Sequence, residues 1–324
     1  MVKSDISILM KIAIFNPKSD FTQAQQETLS KLGEVVYIEP PMEHPLEELK
    51  KLAEGAEILA VDPDNFGGFE TAKERLTELM ETLPNLKGLA VDTTSFGWAD
   101  LEYCKKRNIT VSHCPGWSKE SVAEHALALL ISLAKNIIKL DRKTQKGEYK
   151  LEKGFELKGK TLGIIGVGSI GSTVAQLANG IGMKVIGYNH SPKTVDDVEM
   201  KETLDQLLGE SDAISINVTH KDENKHMIGK EQLDKMKDGV IIVNLADREA
   251  VDEAAMAEAM KSSKVFGYAY EGENLDETPL KDIDNAIGLK GFGWYTTEAL
   301  QNLFQVWVDN IIALAENKPQ NVIK

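Results

Sequence analysis

Cysteine is scarce in this chain: Cys104 and Cys114 are the only two among its 324 residues. Two cysteines cannot build a disulfide framework, and their spacing is not that of a metal site, so we expect reduced thiols and no bound metal. No apolar run reaches the roughly 18 residues that a membrane span needs. The first fifteen residues alternate charged and apolar side chains and lack a signal-peptide cleavage pattern. These absences predict a cytoplasmic protein that does not enter a membrane.

Positive charge is also in short supply. The chain has 37 Lys and Arg residues against 51 Asp and Glu residues, which gives a formal net charge of -14. A protein of this charge repels phosphate backbones, so nucleic acid is not an expected partner. Hydrophobic residues make up 42% and charged residues 27% of the chain, which is a globular composition, and the length indicates about two domains. We therefore expect a globular protein that acts on a small molecule.

Short apolar segments alternate with helical patterns from one end of the chain to the other. This alternation predicts an α/β protein with two doubly wound parallel sheets, each covered by helices on both faces. The first series of predicted strands covers residues 11–15, 34–38, 57–61, 86–91 and 110–112. The second series covers residues 161–166, 184–188, 213–218, 240–243, 265–270 and 286–289.

One predicted helix, over residues 121–140, is apolar nearly all round. A helix of this kind must be buried, either between domains or between subunits. Ser121 and Glu124 have the spacing of a capping box, which would start this helix at Ser121. The polar residues 141–158 that follow are expected to form an extended arm. A last helix, over residues 296–316, has one apolar face and would return the chain to the first domain.

The sequence GVGSIG at residues 166–171 follows a predicted strand and opens a helix. The first glycine permits a tight turn, the second lets the backbone approach a pyrophosphate, and the third lets helix and strand pack closely. The amino end of the helix offers N–H groups and a positive dipole end to phosphates. Because the strand, the helix and the next strand are all in place, we interpret this segment as a dinucleotide-binding loop rather than only a tight turn. Its predicted cofactor-binding residues are Gly166, Gly168, Ser169, Ile170 and Gly171.

The next predicted strand ends without the acidic residue that usually binds the ribose hydroxyls of NAD. Asn189, His190, Ser191 and Lys193 stand there instead, and the first carboxylate after them is Asp196. Asparagine, serine and lysine side chains donate hydrogen bonds to a 2′-phosphate. We therefore expect a nicotinamide cofactor, with NADP preferred over NAD. The alternative is that these are ordinary turn residues.

Several segments together make the chain similar to the D-isomer-specific 2-hydroxyacid dehydrogenases. They are residues 86–100, 114–117, 121–125, 157–171, 236–244 and 251–253. The resemblance implies a Rossmann cofactor domain, residues 118–295, inserted in a flavodoxin-like substrate domain made of residues 1–117 and 296–324. It further implies that the cofactor is contacted by Asn217, Thr219 and Ala246, and that a homodimer forms through the apolar helix and the arm.

The chain departs from this family at the catalytic positions. The family uses an Arg to clamp the substrate carboxylate, a His to donate a proton and a Glu to pair with that His. Alignment of the flanking motifs places Asp247 at the Arg position, with Arg248 displaced by one residue. Alignment of the run before Trp294 places Gly291 at the His position, with Lys290 beside it. Ordinary reduction of 2-oxo acids such as pyruvate is therefore expected to be weak or absent.

Acidic side chains gather in the same region of the sequence. Glu271 stands where the family has an Asp near the nicotinamide, and Asp276 or Glu277 falls near the Glu position. Carboxylates such as Asp247 and Glu271 suit a cationic substrate, for example an imine or an amine. This charge argument predicts an oxidoreductase with a non-standard carbonyl or imine substrate.

Aromatic residues near the predicted strand ends are further candidates. Tyr268 and Tyr270 share one face of a strand, and a phenol can donate a proton, although we favour packing against the sheet for both. Tyr295 follows the last predicted strand. Our candidate catalytic residues are Asp247, Arg248, Glu271, Lys290 and Tyr295.

The first domain contributes a predicted substrate loop. Thr94, Ser95 and Phe96 replace the more glycine-rich segment with which the family binds a substrate carboxylate. Their bulkier side chains again indicate a different ligand.

Two alternatives stay open beside the unusual reductase. One is an ordinary 2-hydroxyacid dehydrogenase in which Arg248 and Lys290 take over the missing roles by a shift of one residue. The other is a non-catalytic, cofactor-binding regulatory protein, which the absence of a histidine at the acid position favours.

Overall fold

The structure is a computed structural model that describes residues 10–39, 43–219, 222–272 and 274–323. The chain divides into two compact units. The first joins the residues up to Trp117 to those from Leu300 onward, and the second runs from Ser118 to Ala299. Each unit contains one parallel sheet, so the predicted α/β class with two parallel sheets is confirmed.

Five parallel strands form the sheet of the first unit: β1 (Lys11–Ile14), β2 (Glu34–Tyr37), β3 (Ile58–Val61), β4 (Gly88–Val91) and β5 (Thr110–Ser112). Their order, β2-β1-β3-β4-β5, is that of a flavodoxin-like doubly wound sheet. β3 and β4 are buried along their whole length, as expected for central strands covered on both faces. The helices between the strands are α1 (Gln23–Ser30), α2 (Leu46–Ala53), α3 (Ala72–Glu81) and α4 (Leu101–Arg107).

The last helix of the chain, Thr297–Ala315, belongs for most of its length to the first unit. Trp307 is buried on this helix, and its indole Nε1 donates a 3.0 Å hydrogen bond to the Ala90 carbonyl oxygen of β4. Asn310 is buried as well and donates a 2.8 Å hydrogen bond to the carbonyl oxygen of His113. The predicted last helix is therefore confirmed, and it completes the core of the first unit.

Seven parallel strands form the sheet of the second unit: β6 (Thr161–Ile165), β7 (Lys184–Tyr188), β8 (Glu199–Met200), β9 (Ala213–Ile216), β10 (Val240–Asn244), β11 (Val265–Glu271) and β12 (Ala286–Leu289). Their order is β12-β11-β10-β9-β6-β7-β8, which is the Rossmann order with one strand added at the β12 edge. Among the strands of the described residues, the short edge strand β8 alone is not predicted by the sequence pattern.

The predicted single helix over residues 121–140 is wrong. The structure has two helices there, α5 (Lys119–Ala134) and α6 (Ile137–Gln145). Lys135 and Asn136 separate them, and Asn136 has a left-handed conformation with φ 55°. Asn136 is buried, and its side-chain amide donates a 3.3 Å hydrogen bond to the Lys153 carbonyl oxygen. This tertiary hydrogen bond holds the chain in the conformation that interrupts the helix.

The predicted capping box at Ser121 is also wrong. The helix begins two residues earlier, at Lys119, and the Ser121 hydroxyl instead donates a 2.6 Å hydrogen bond to the carbonyl oxygen of Gly293. Ser121 is buried by this contact. Its role is therefore to join α5 to the segment that follows β12.

The apolar helix α5 is covered within its own unit. It packs against β10, β11 and the helix α7 (Ser169–Gly180), and the side chains that it buries include Leu129, Leu130 and Leu133. The predicted arm is only partly extended, because α6 runs to Gln145; regular structure resumes at Thr161. The other helices of the unit are α8 (Leu204–Glu210), α9 (Lys230–Lys235) and α10 (Glu253–Lys261), and the last helix of the chain is accordingly α11.

Within the described ranges, no single helix is both long and apolar enough to cross a membrane; α5 and α6 meet that description only as a pair, which is bent by 62°. The same ranges contain no group of three His, Cys, Asp or Glu side chains that could hold a metal ion. Both cysteines are free and buried. Burial raises the pKa of the Cys104 thiol to about 11.

Candidate active site

The predicted phosphate loop lies at the point where the strand order of the second sheet reverses. β6 has β7 on one side and β9 on the other, and ligands of open α/β sheets bind beyond the carboxyl ends of strands at such a switch point. Gly166, directly after β6, has a φ of 91°, and a Cβ there would lie 2.6 Å from the backbone oxygen of Asn217 after β9. Only glycine permits this contact between the two backbones.

The start of α7 leaves room for a phosphate group. A Cβ on Gly171 would lie 2.3 Å from the Gly166 carbonyl oxygen, so the helix packs directly on the turn that precedes it. Gly168 is the amino-terminal cap residue and makes no side-chain cap, and a Cβ there would meet open space. The first-turn N–H groups of α7, which begins at Ser169, can therefore bind an anion. Ile170 packs against the core of the unit.

Asn217 supplies a buried acceptor at the same switch point. Its side-chain Nδ2 donates a 3.0 Å hydrogen bond to the Ser215 hydroxyl. Its Oδ1 is buried and has no hydrogen-bond partner among the described residues. A buried acceptor without a partner costs about 1–3 kcal/mol, so a donor from a bound molecule would stabilise this site. Thr219 is exposed beyond it, and its carbonyl oxygen accepts a hydrogen bond from Asn224. The open loop, the free helix end and the unpaired acceptor together fit a dinucleotide.

The segment after β7 folds back onto the phosphate loop. Asn189 Oδ1 accepts a 2.7 Å hydrogen bond from the N–H of Val167, and Lys193 Nζ donates a 2.8 Å hydrogen bond to the Val167 carbonyl oxygen. His190 and Ser191 are exposed beside them. The structure therefore brings the predicted cofactor residues of both segments together and places a lysine ammonium against the loop.

A tight turn follows β10 and carries Asp247, which the sequence analysis predicts at the position of the family's arginine. Buried Asn244 organises the turn: its Oδ1 accepts from Ala246 N at 3.1 Å, and its Nδ2 donates to the Asp247 carbonyl oxygen at 3.1 Å. The Asp247 carboxylate accepts a 2.8 Å hydrogen bond from the N–H of Glu249 and so caps the short 3-10 turn Arg248–Ala250. Asp247 thus has a local structural role in addition to its negative charge.

Arg248 forms a bidentate ion pair with Glu253. Its Nε and Nη2 donate to the two carboxylate oxygens, the second at 2.8 Å, and its guanidinium carbon lies 5.9 Å from the centre of the Tyr270 ring. The hydrogen bond with Glu253 raises the pKa of Arg248. Burial alone would raise the pKa of Glu253, but hydrogen bonds from Arg248 and Thr278 bring it below its usual value. The Arg248 guanidinium is therefore committed to a neighbouring carboxylate.

Tyr268 and Tyr270 are packing residues. Their rings are stacked, with centres 5.1 Å apart and planes 9° from parallel, and both side chains are buried. Burial raises the pKa of both phenols. The favoured interpretation of these tyrosines as core residues is confirmed.

A histidine–carboxylate pair at the end of β11 is the feature that the sequence analysis missed. His125 Nε2, on α5, lies 3.2 Å from Glu271 Oε1. The same carboxylate oxygen accepts hydrogen bonds from the N–H groups of Phe292 and Gly293, at 2.9 and 2.8 Å. A Cβ on Gly293 would lie 3.2 Å from the imidazole Cδ2. His125 and Glu271 are far apart in sequence, so no local pattern predicts their contact. The sequence analysis includes His125 only as a member of the motif at residues 121–125.

The remaining candidates of this unit lie on exposed segments. Lys290 and Gly291 are exposed, as are Asp276 and Glu277. Tyr295 is 65% exposed and packs edge-on against the Trp294 ring, with centres 5.0 Å apart. The structure thus assigns Lys290 and Tyr295 to the rim of the strand ends rather than to an enclosed position.

The predicted substrate loop belongs to the first unit, after β4. The Thr94 hydroxyl donates a 2.9 Å hydrogen bond to the Cys114 carbonyl oxygen, and the Ser95 carbonyl oxygen accepts from the Thr93 hydroxyl. Phe96 packs edge-on against His113, with ring centres 5.2 Å apart. These contacts fix a loop whose Thr94 and Ser95 are exposed.

The strand before this loop ends in a buried carboxyl group, that of Asp92. Burial, reinforced by the nearby Asp62 carboxylate, raises the pKa of Asp92 well above its usual value. The carboxyl end of β4 therefore holds a carboxyl group whose ionised form is disfavoured by burial.

Known proteins are similar to this chain in sequence and in fold. Residues 127–289 match the family described as D-isomer specific 2-hydroxyacid dehydrogenase, NAD binding domain. The chain is 36% identical over 262 residues to a hydroxypyruvate reductase of Thermotoga maritima, an alignment that covers 78% of this chain and 83% of the relative. A D-3-phosphoglycerate dehydrogenase of Archaeoglobus fulgidus is 36% identical over 256 residues; the alignment covers 75% of this chain and 48% of that relative, so the chain spans about half of its length.

A solved structure is similar over nearly the whole chain. It is an acyclic imino acid reductase in complex with NADPH and D-Arg. Its TM-score is 0.81 at 27% sequence identity, and the alignment covers 97% of this chain and 100% of that one.

We predict that Gly171→Ala weakens NADPH binding at least about 10-fold. A Cβ 2.3 Å from the Gly166 carbonyl oxygen would push α7 away from the loop that is predicted to hold the pyrophosphate. Fluorescence titration of the purified protein with NADPH measures the effect. Gly180→Ala is the matched control, because it lies in the same helix and its Cβ would meet no atom within 4 Å. Equal affinity of the Gly171→Ala variant and the wild-type protein would contradict the phosphate-loop assignment.

Proposed function

Because the chain belongs to the D-isomer-specific 2-hydroxyacid dehydrogenase family, and is thus an NAD(P)-dependent oxidoreductase, we propose that it reduces a carbon–nitrogen double bond rather than the ketone of a 2-oxo acid. The observation that carries this proposal is the bidentate pair of Arg248 with Glu253. It occupies the guanidinium nearest to the family's clamp position, at which Asp247 stands. A 2-oxo carboxylate therefore loses a charge-assisted contact worth about 1.5–3 kcal/mol.

The charges at this edge of the sheet favour a cationic reacting group. The Glu271 carboxylate at the end of β11 is held by two backbone N–H groups, and Asp247 adds a second carboxylate at the end of β10. Protonation makes an imine nitrogen cationic, so these groups attract it, whereas the ketone of a 2-oxo acid offers them no positive charge. The solved neighbour with the same fold is an imino acid reductase, which supports the same class of substrate.

We assign the nicotinamide dinucleotide to the second unit. Its pyrophosphate would be held by the loop at residues 166–171 and the amino end of α7, with Asn217, Thr219 and Ala246 along its path. A bound reduced nicotinamide supplies a hydride. We assign the substrate to Thr94, Ser95 and Phe96, which follow β4 in the first unit.

We propose that NADP is the preferred cofactor. Lys193 lies against the phosphate loop through Val167, and exposed Ser191 and His190 stand beside it, with no carboxylate at Asn189. This set offers a cation and hydrogen-bond donors to a 2′-phosphate. The imino acid reductase of the same fold was solved with NADPH.

Lys193→Ala is expected to weaken NADPH binding roughly 10- to 100-fold, because a charge-assisted contact contributes about 1.5–3 kcal/mol, and to leave NADH binding nearly unchanged. Asn189→Asp, which keeps the acceptor for Val167 N, should shift the preference toward NADH. Parallel titrations with both cofactors measure these effects, and Lys230→Ala, an exposed lysine on α9, controls for net charge. Tighter binding of NADH than of NADPH by the wild-type protein would refute the preference.

The substrate proposal predicts that NADPH oxidation with pyruvate plus excess methylamine, which form an imine in solution, exceeds that with pyruvate alone by at least about 10-fold in kcat/KM. Glyoxylate and hydroxypyruvate, each with and without amine, complete the panel. The same reactions without enzyme give the background rate.

The panel also separates the two alternatives. Fast reduction of the 2-oxo acids without amine would instead establish an ordinary 2-hydroxyacid dehydrogenase, in line with the hydroxypyruvate reductase relative. Tight cofactor binding without turnover of any member would favour a regulatory protein.

We also propose a homodimer that forms through the arm after α6. Tyr149 and Leu151 on this segment are 86% and 102% exposed, and large apolar side chains presented in this way are typical of an interface. Sedimentation of the double variant Tyr149→Asp, Leu151→Asp should show a monomer where the wild-type protein is a dimer. Ile181→Asp, at another exposed apolar site, should leave the dimer intact, and a monomeric wild-type protein would refute the proposal.

A further inference from the structure

We propose that His125 is the proton donor of this reductase and that Glu271 positions it, so that a histidine from α5 replaces the one missing at position 291. This inference rests on the proposed function. It is derived from three sets of contacts within the second unit. The first joins α5 to the segment after β12, the second holds the carboxylate of Glu271, and the third brings the imidazole of His125 close to Glu271 and Gly293.

The hydrogen bond between α5 and the segment after β12 positions His125. Ser121 and His125 are four residues apart on α5 and therefore lie on the same face of the helix, one turn apart. The Ser121 hydroxyl donates a 2.6 Å hydrogen bond to the carbonyl oxygen of Gly293. This bond fixes the segment after β12, which includes Gly291, beside the helix face that carries His125.

The carboxylate of Glu271 is fixed by the same segment. Its Oε1 accepts hydrogen bonds from Phe292 N and Gly293 N, and its side chain is 14% exposed. Glu271 ends β11, and its register partner on the neighbouring strand is Leu289, the last residue of β12. The carboxylate therefore stands at the carboxyl edge of the sheet, where an open α/β fold presents its ligand site.

The imidazole has one enclosed nitrogen. His125 Nε2 is buried and makes no hydrogen bond among the described residues, although Glu271 Oε1 is only 3.2 Å away. The distance between these two atoms suits a hydrogen bond, but their relative direction does not. Hydrogen bonds of catalytic groups are commonly misaligned without substrate and tighten when the substrate binds. A carboxylate that accepts from Nε2–H leaves Nδ1 as the nitrogen that exchanges protons.

Glycine at position 293 makes this approach possible. A Cβ there would lie 3.2 Å from the imidazole Cδ2 and 3.5 Å from Glu271 Oε1. The imidazole side chain nevertheless keeps 23% of its surface exposed. The ring is thus held on one side by Glu271 and Gly293 and remains open to a small molecule elsewhere.

The proton step balances without a further reactant. The carbon of the C=N bond receives the hydride of the reduced cofactor, and the electron pair of the double bond moves to nitrogen. The N–H bond at protonated His125 Nδ1 breaks as a new N–H bond forms at the nitrogen of the neutral imine, which makes the cationic iminium group that Asp247 and Glu271 attract; the hydride then completes the amine. Neutral His125 then takes a proton from water, while Glu271 remains a carboxylate throughout.

The first test is His125→Ala with pyruvate plus methylamine. We expect kcat to fall by roughly 10²–10⁴-fold, the usual contribution of a general acid, with the NADPH affinity unchanged. Added imidazole should restore part of kcat, which a purely structural histidine would not allow. His226→Ala, an exposed histidine after β9, is the control. Wild-type kcat in the His125→Ala variant would overturn the proposal.

A substrate that needs no proton sharpens this test. An N-methylated cyclic iminium ion carries a permanent positive charge and requires only hydride. The His125→Ala variant should therefore lose activity with the neutral imine and keep it with the iminium ion. Equal losses with both substrates would show that His125 acts on the structure of the site and not as a proton donor.

The second measurement does not depend on turnover. In the protein labelled with ¹⁵N-histidine, NMR should show the Nε2–H tautomer of His125 in the wild type and loss of that preference in Glu271→Gln, which keeps the shape of the side chain. An Nδ1–H tautomer in the wild-type protein would overturn the pair. If the wild-type protein reduced no member of the panel, the proposed function would fail, and this spectrum would still decide whether Glu271 positions His125.

Discussion

The second unit depends on the contact of two backbones at the switch point of its sheet. Gly166 has no space for a side chain against Asn217, and Gly171 has none against Gly166. Because atoms in van der Waals contact cannot shift independently, this contact fixes the amino end of α7 relative to β6 and β9. The phosphate loop, the buried Asn217 acceptor and the Lys193 contact all take their positions from it.

The strands could be predicted from the sequence because parallel strands are continuous apolar segments. All the predicted strands appear within two residues of their expected ends. The edge strand β8 was not predicted because it has only two residues, Glu199 and Met200, and neither is buried. The break at Asn136 was not predicted because it depends on a hydrogen bond to Lys153 O, and helical periodicity carries no information on such a bond.

The site divides in the same way into local and distant features. The glycine pattern at residues 166–171 is local, so its spacing carried the prediction. The ion pair of Arg248 with Glu253 joins residues only five apart and is also local. The pair of His125 with Glu271 joins α5 to β11. It became visible only when the fold brought these two elements together, because no pattern of neighbouring residues encodes a contact of that kind.

The ion pair after β10 also limits how this chain can change by mutation. Arg248 already occupies both oxygens of Glu253 and lies over the Tyr270 ring. A new arginine at position 247 would stand next to a second guanidinium, and like charges in adjacent positions repel. It would also lose the carboxylate that caps the turn at Glu249. An arginine at position 247 would therefore destabilise this turn unless position 248 changed as well.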